Sequence, residues 1–147
     1  GTVRGMIAGQ VHDIEGENQQ PAEQLLERIH RAKTGALLRC SLRMGAIHAG
    51  ARAEELEAIS EYGEHIGLAF QIVDDVLDVE ESAEVLGKTP GKDAAQHKIT
   101  FPAVYGLEES KRMAERERAR ARASLERFGP RGERLKQLAD LVVDRKA

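Results

Sequence analysis

Hydrophobic positions recur along this chain at intervals of three and four residues, not in alternation, and turn-forming residues break the pattern into five stretches. Residues 2 to 15 place Val3, Met6, Ile7, Gln10, Val11 and Ile14 near one helical face. GENQQPA then interrupts the pattern, with Pro21 suited to the first turn of the next helix. That helix is expected to run to about Gly50, with Leu25, Leu26, Ile29, Ala32, Ala36, Leu37, Cys40 and Met44 along its apolar side. A third is expected from about Ala53 to Val79, followed by ESAEVLGKTPGKDAAQHK, a loop rich in Gly, Lys and Pro. TFPAVYGLEESKRMAERERARARASLERF reads as one or two helices, and Gly129-Pro130 introduces a last short one. The expected class is all-α.

Composition agrees. Ala, Glu, Leu and Arg dominate, and only 3% of the residues are aromatic. With 147 residues the chain suits one domain with a sizeable core. A net charge of −3 with both signs interspersed speaks against a nucleic-acid surface. ERERARARAS pairs Glu with Arg at helical spacing and reads as a solvated face. No apolar run reaches the ~18 residues of a membrane span, and no secretory signal is visible. A single Cys40 precludes an internal disulfide, in keeping with a reducing, cytoplasmic setting.

One stretch conflicts with a simple apolar core. LAFQIVDDVLD puts three aspartates among Leu, Phe, Ile and Val, where a carboxylate without a partner costs several kcal/mol, roughly, or loses its charge. On a helix Gln71, Asp74, Asp75 and Asp78 fall at i, i+3, i+4 and i+7, one acidic stripe on an otherwise apolar cylinder. Such a helix belongs in the middle of a bundle, with its stripe lining a cavity. Oxygens at that spacing suit a hard cation such as Mg²⁺, which shares one or two carboxylates with substrate phosphates. Taken alone, the motif is equally compatible with solvated charges or ion pairs to a neighbouring helix. Lys33-Thr34-Gly35 in the preceding helix, and Lys88, Lys92 and Lys98 in the Gly- and Pro-containing loop, add the cations a diphosphate site needs. Each of these, alone, also reads as an ordinary solvated lysine.

GMIAGQVHD, AKTGALL, FQIVDDVLD and LGKTPGKDAAQHKITFPAVYGLEES, in that order and spacing, resemble the C-terminal half of trans-isoprenyl diphosphate synthases, among them the farnesyl and geranylgeranyl diphosphate synthases. The resemblance covers almost the whole chain. It implies a helical bundle of the isoprenoid synthase type around a central cavity. It further implies Mg²⁺-dependent, head-to-tail condensation of isopentenyl diphosphate with an allylic diphosphate, in a cytoplasmic enzyme that is a homodimer at full length. Carried onto this sequence, Asp74 is a direct metal ligand, and Asp75 and Asp78 hold metal-bound water or complete the shell. Lys33 and Lys88 grip the allylic diphosphate. Gln71 and Thr34, with the Lys33 carbonyl, face the developing cation, and Phe70 lies beside the isopentenyl site. Asp93 and Lys98 match the loop that closes over the substrates.

The family's first aspartate-rich motif has no match here, and Asp13 in GQVHD reads as structural. The resemblance therefore implies that residues 1–147 are the C-terminal part of one synthase domain, inactive alone. The alternative is a non-catalytic partner subunit of a heteromeric synthase, although such subunits usually lose the aspartates or lysines kept here. A terpene cyclase would carry more aromatic side chains.

Overall fold

The computed structural model describes Ile7 and residues 34–86 and 100–145, the side chains of 82–86 excepted. Among these the secondary structure is helical throughout, with no strand. The order is α1 (Ala36–His48), α2 (Ala53–Leu86), α3 (Phe101–Tyr105), α4 (Leu107–Ser124), a 3₁₀ segment (Glu126–Gly132) and α5 (Glu133–Asp144). No helix among the described residues is long and apolar enough to cross a membrane.

Local chemistry sets the joints. Gly50 ends α1 at φ 72°, a left-handed conformation that costs glycine little, while the Ala51 amide donates back to the Ala46 carbonyl. Glu55 then reaches back one turn and accepts from the Arg52 amide at 3.0 Å, satisfying a donor at the start of α2. Thr100 accepts from the Ala103 amide to open α3, Pro102 lies in its first turn, and Gly106 at φ 83° separates it from α4. The chain turns again at Gly129, φ 53°, into the last helix.

α2 is the central element, with α1, α3, α4 and α5 packed around it. Ile59, Tyr62, Ile66 and Ala69 form one cluster with Ala121, Leu125 and Ala139 of the C-terminal region. Leu68, Ile72 and Val73 form a second with Phe101 and Ala114. Tyr62 is fully buried and donates its hydroxyl to the Leu135 carbonyl at 2.8 Å, and burial pushes that phenol up to about 12. The crossing of α1 over α2 depends on two glycines. A Cβ on Gly63 would lie 2.9 Å from the Arg39 Cα, and one on Gly67 would lie 2.7 Å from the Gly35 Cα. In a helix interior each glycine costs roughly 1 kcal/mol, and here that cost allows the backbones to touch.

One expectation needs correction. α2 does not stop at Val79 but continues to Leu86. Its apolar periodicity ends near Val79, yet Glu80, Glu81, Ser82, Ala83 and Glu84 carry no helix breaker, and Glu80 is tied to Lys111 of α4 at 2.8 Å. Along α1 the described apolar side chains stay partly or largely open, with Leu42 and Ala46 packed against the core. α1 has no buried residue, and Leu37, Met44 and Ile47 are 53%, 66% and 59% exposed.

Candidate active site

The predicted site residues that are described cluster where α1 begins against the middle of α2. Thr34 donates its hydroxyl to Gln71 Oε1 at 2.9 Å, joining the two elements directly beside the Gly35–Gly67 contact. Two side chains assigned to one cationic centre from separate parts of the sequence thus touch. Ile72, Val73 and Val76 are buried on the opposite side of α2, which fixes its rotation and turns Asp74 and Asp78 outward. Both aspartates are exposed, one helical turn apart on the face that also carries Gln71.

Asp75 points elsewhere. Its Oδ2 accepts from the Phe101 amide at 2.9 Å, so one of its oxygens caps the start of α3. The acidic motif is in this way divided: two aspartates face outward, and one ties α2 to the element where the chain returns. Lys33, Lys88, Asp93 and Lys98 lie outside the described residues.

Sequence reasoning missed a basic residue at the end of the chain. Arg145 Nη2 lies 3.0 Å from Asp74 Oδ1 and donates to the Phe70 carbonyl at 3.1 Å, while its guanidinium carbon stands 4.2 Å from the Phe70 ring centroid. An arginine one residue past a helix gives no sequence signal that distinguishes it from a solvated C-terminal charge.

A second polar group lies deeper, between α2 and α4. Glu117 is buried, with His65 Nδ1 at 2.7 Å from one oxygen and Arg120 at 2.6 Å from the other. Burial pushes the Glu117 carboxyl up, but the hydrogen bond and charge of His65, with Arg120, outweigh it and hold the group below the usual carboxylate range. These residues, with Gly35, Ala36, Arg39, Glu64 and Leu68, surround a cavity of about 240 Å³.

The acidic face can be tested for its fit to a hard divalent cation. No three His, Cys, Asp or Glu side chains among the described residues gather into a complete metal cage. Two outward carboxylates one turn apart fit a cation of the magnesium type, which keeps most of its water and takes one or two protein carboxylates together with phosphate oxygens.

Known proteins similar to this chain belong to one family. The family model described as polyprenyl synthetase matches residues 1–141. Geranylgeranyl pyrophosphate synthase 10, mitochondrial, of Arabidopsis thaliana is 45% identical over 97% of this chain and 43% of its own length. Farnesyl diphosphate synthase of Escherichia coli is 40% identical over 97% of this chain and 49% of its own. The crystal structure of geranyltransferase from Helicobacter pylori complexed with magnesium and isoprenyl diphosphate matches at a TM-score of 0.72 and 31% identity, over 95% of this chain and 46% of that one. The chain thus spans less than half the length of these relatives. Matched over nearly all of its own length, it belongs to the polyprenyl synthetase family.

Proposed function

We propose that this chain supplies the second metal-binding wall of a prenyltransferase that condenses isopentenyl diphosphate with an allylic diphosphate, in the farnesyl to geranylgeranyl class. The observation that carries the reading is the one-sided arrangement at the α1–α2 crossing. Thr34 and Gln71 are bonded at 2.9 Å, and the exposed Asp74 and Asp78 lie along the same face of α2. Relatives named as farnesyl and geranylgeranyl synthases, and a related geranyltransferase complexed with magnesium and isoprenyl diphosphate, support the same assignment.

In this reading Asp74 and Asp78 hold Mg²⁺, and Asp75 steadies the site through the Phe101 amide. Bound magnesium supplies electrostatic neutralisation of the departing diphosphate. Lys33, Lys88 and Lys98 spread the remaining charge over ammonium groups, which neutralise phosphate as point charges. The Thr34 hydroxyl donates its hydrogen bond to Gln71 Oε1, so the pair presents neutral hydroxyl and amide oxygens rather than a charge to the reacting centre. Neutral oxygens stabilise an allylic cation without capturing it as a free carboxylate would. Phe70, half-buried next to Gln71 along α2 and covered by the Arg145 guanidinium, is the ring that would meet the isopentenyl unit. No protein base is evident among the described residues, and the departed diphosphate suits the final proton removal.

The test is product formation by the chain expressed within its complete reading frame. Incubated with isopentenyl diphosphate, dimethylallyl or geranyl diphosphate and Mg²⁺, it should release longer prenyl diphosphates detectable by mass spectrometry, and chelation should stop it. Absence of any elongated product from all allylic primers contradicts the proposal.

A further inference from the structure

The guanidinium of Arg145 sits on the carboxylate that the proposed function gives to a metal. Asp144, its neighbour, pairs with Arg118 of α4 at 2.8 Å, which holds the end of α5 in place. From there Arg145 leaves the helix in an extended conformation, φ −61° and ψ 142°. Its Nη2 then bridges Asp74 Oδ1 and the Phe70 carbonyl, and its plane covers the Phe70 ring. Its Nε is buried with no hydrogen-bond partner. One side chain thus joins an aspartate and an aromatic ring assigned to metal and to substrate, and it leaves a donor unsatisfied to do so. A buried unsatisfied donor is costly, so this arrangement persists only while its other contacts outweigh that cost.

We propose that Arg145 is the resident counter-ion of Asp74 and the cover of Phe70, and that a divalent cation binding at Asp74 must displace it. The idea rests on the reading that Asp74 is a metal ligand. A cation and a guanidinium compete for the same Oδ1, since a second positive charge within a few ångströms of Asp74 raises the energy of both. Displacement frees the ring of Phe70 at the moment the metal-diphosphate arrives. The end of α5 and the metal face are then coupled, each weakening the hold of the other on Asp74 by the same factor.

The competition is readable as metal affinity, which a purely structural arginine would not improve. Manganese binding in the presence of inorganic diphosphate is measured by electron paramagnetic resonance on the protein in its complete reading frame. Arg145→Gln should bind Mn²⁺ about two- to fivefold more tightly than wild type, the range of a partly exposed ion pair, whereas Asp74→Asn should bind it far more weakly. Equal or weaker binding by Arg145→Gln, with Asp74→Asn impaired, overturns the counter-ion and leaves the metal assignment standing. Equal binding by all three proteins overturns the metal assignment itself. A second measurement needs no variant. In wild type, amide hydrogen exchange at the C-terminal end of α5 should speed up when Mn²⁺ and diphosphate are added, and unchanged or slower exchange contradicts displacement.

Discussion

Glu117 is a carboxylate that the bundle keeps charged despite burying it. Its two oxygens are held by His65 and Arg120, and its acidity is increased relative to the ordinary value of 4.5. A folded-state value below the unfolded one stabilises the fold fully above about pH 4.5, and this contribution is lost as pH falls through the lower folded value. Glu117→Gln should therefore melt below wild type near neutral pH, and the gap should narrow as pH falls through the lowered folded-state value, read from melting curves across pH. A gap independent of pH would mean that the charge of Glu117 contributes nothing. The site's division of labour is also set at this scale. Three aspartates alike in sequence take different directions because α2 gives each its own angle. Period and spacing revealed the shared stripe, but not that Asp75 would accept from Phe101, because that partner lies 26 residues away.

At the scale of elements, the α1–α2 crossing is the joint that sets the site. Gly67 meets the Gly35 backbone directly, one residue from the Thr34 that bonds Gln71. Adding a methyl at Gly67 gains roughly 1 kcal/mol of helix propensity but forces two backbones apart, and overpacking of this kind costs about 1–3 kcal/mol. Gly67→Ala should lower the melting temperature and weaken Mn²⁺–diphosphate binding together. Gly45→Ala, in α1 with nothing within 4 Å of its added Cβ, should instead raise the melting temperature. The reverse order of the two variants contradicts the close crossing. The helical class, the central place of α2 and the joints at Gly50 and Gly129 were legible from spacing and turn residues, whereas the break at Gly106 was left open between one helix and two. The end of α2 was not, since apolar periodicity marks where a helix faces a core and Glu80 to Leu86 form helix beyond that point.

For the whole molecule, the exposed side of α1 carries Leu37, Met44 and Ile47, and beside it α1, α2 and α5 border an apolar groove of about 650 Å³. The sequence placed Leu37 and Met44 on an apolar side, and periodicity shows that a face is apolar but not what covers it. A surface of this kind favours association, so the 147-residue chain by itself should self-associate in a concentration-dependent way by light scattering. A monodisperse monomer at high concentration contradicts this. The same chain should show no prenyl transfer alone, since two outward carboxylates on one face make only part of a metal-diphosphate site. The candidates Thr34, Gln71, Asp74 and Asp78 were singled out from AKTGALL and FQIVDDVLD, whereas the contact of Arg145 with Asp74 was hidden because it depends on where α5 ends in space. The central claim is that the outward face of α2 holds the metal that drives diphosphate departure. Its most direct test is steady-state turnover of isopentenyl and allylic diphosphates by the chain in its complete reading frame, wild type against Asp74→Ala. Loss of a group that neutralises transition-state charge is worth about 3–4 kcal/mol, so kcat should fall by roughly two to three orders of magnitude with the fold intact by circular dichroism. Turnover within a few-fold of wild type would contradict the account.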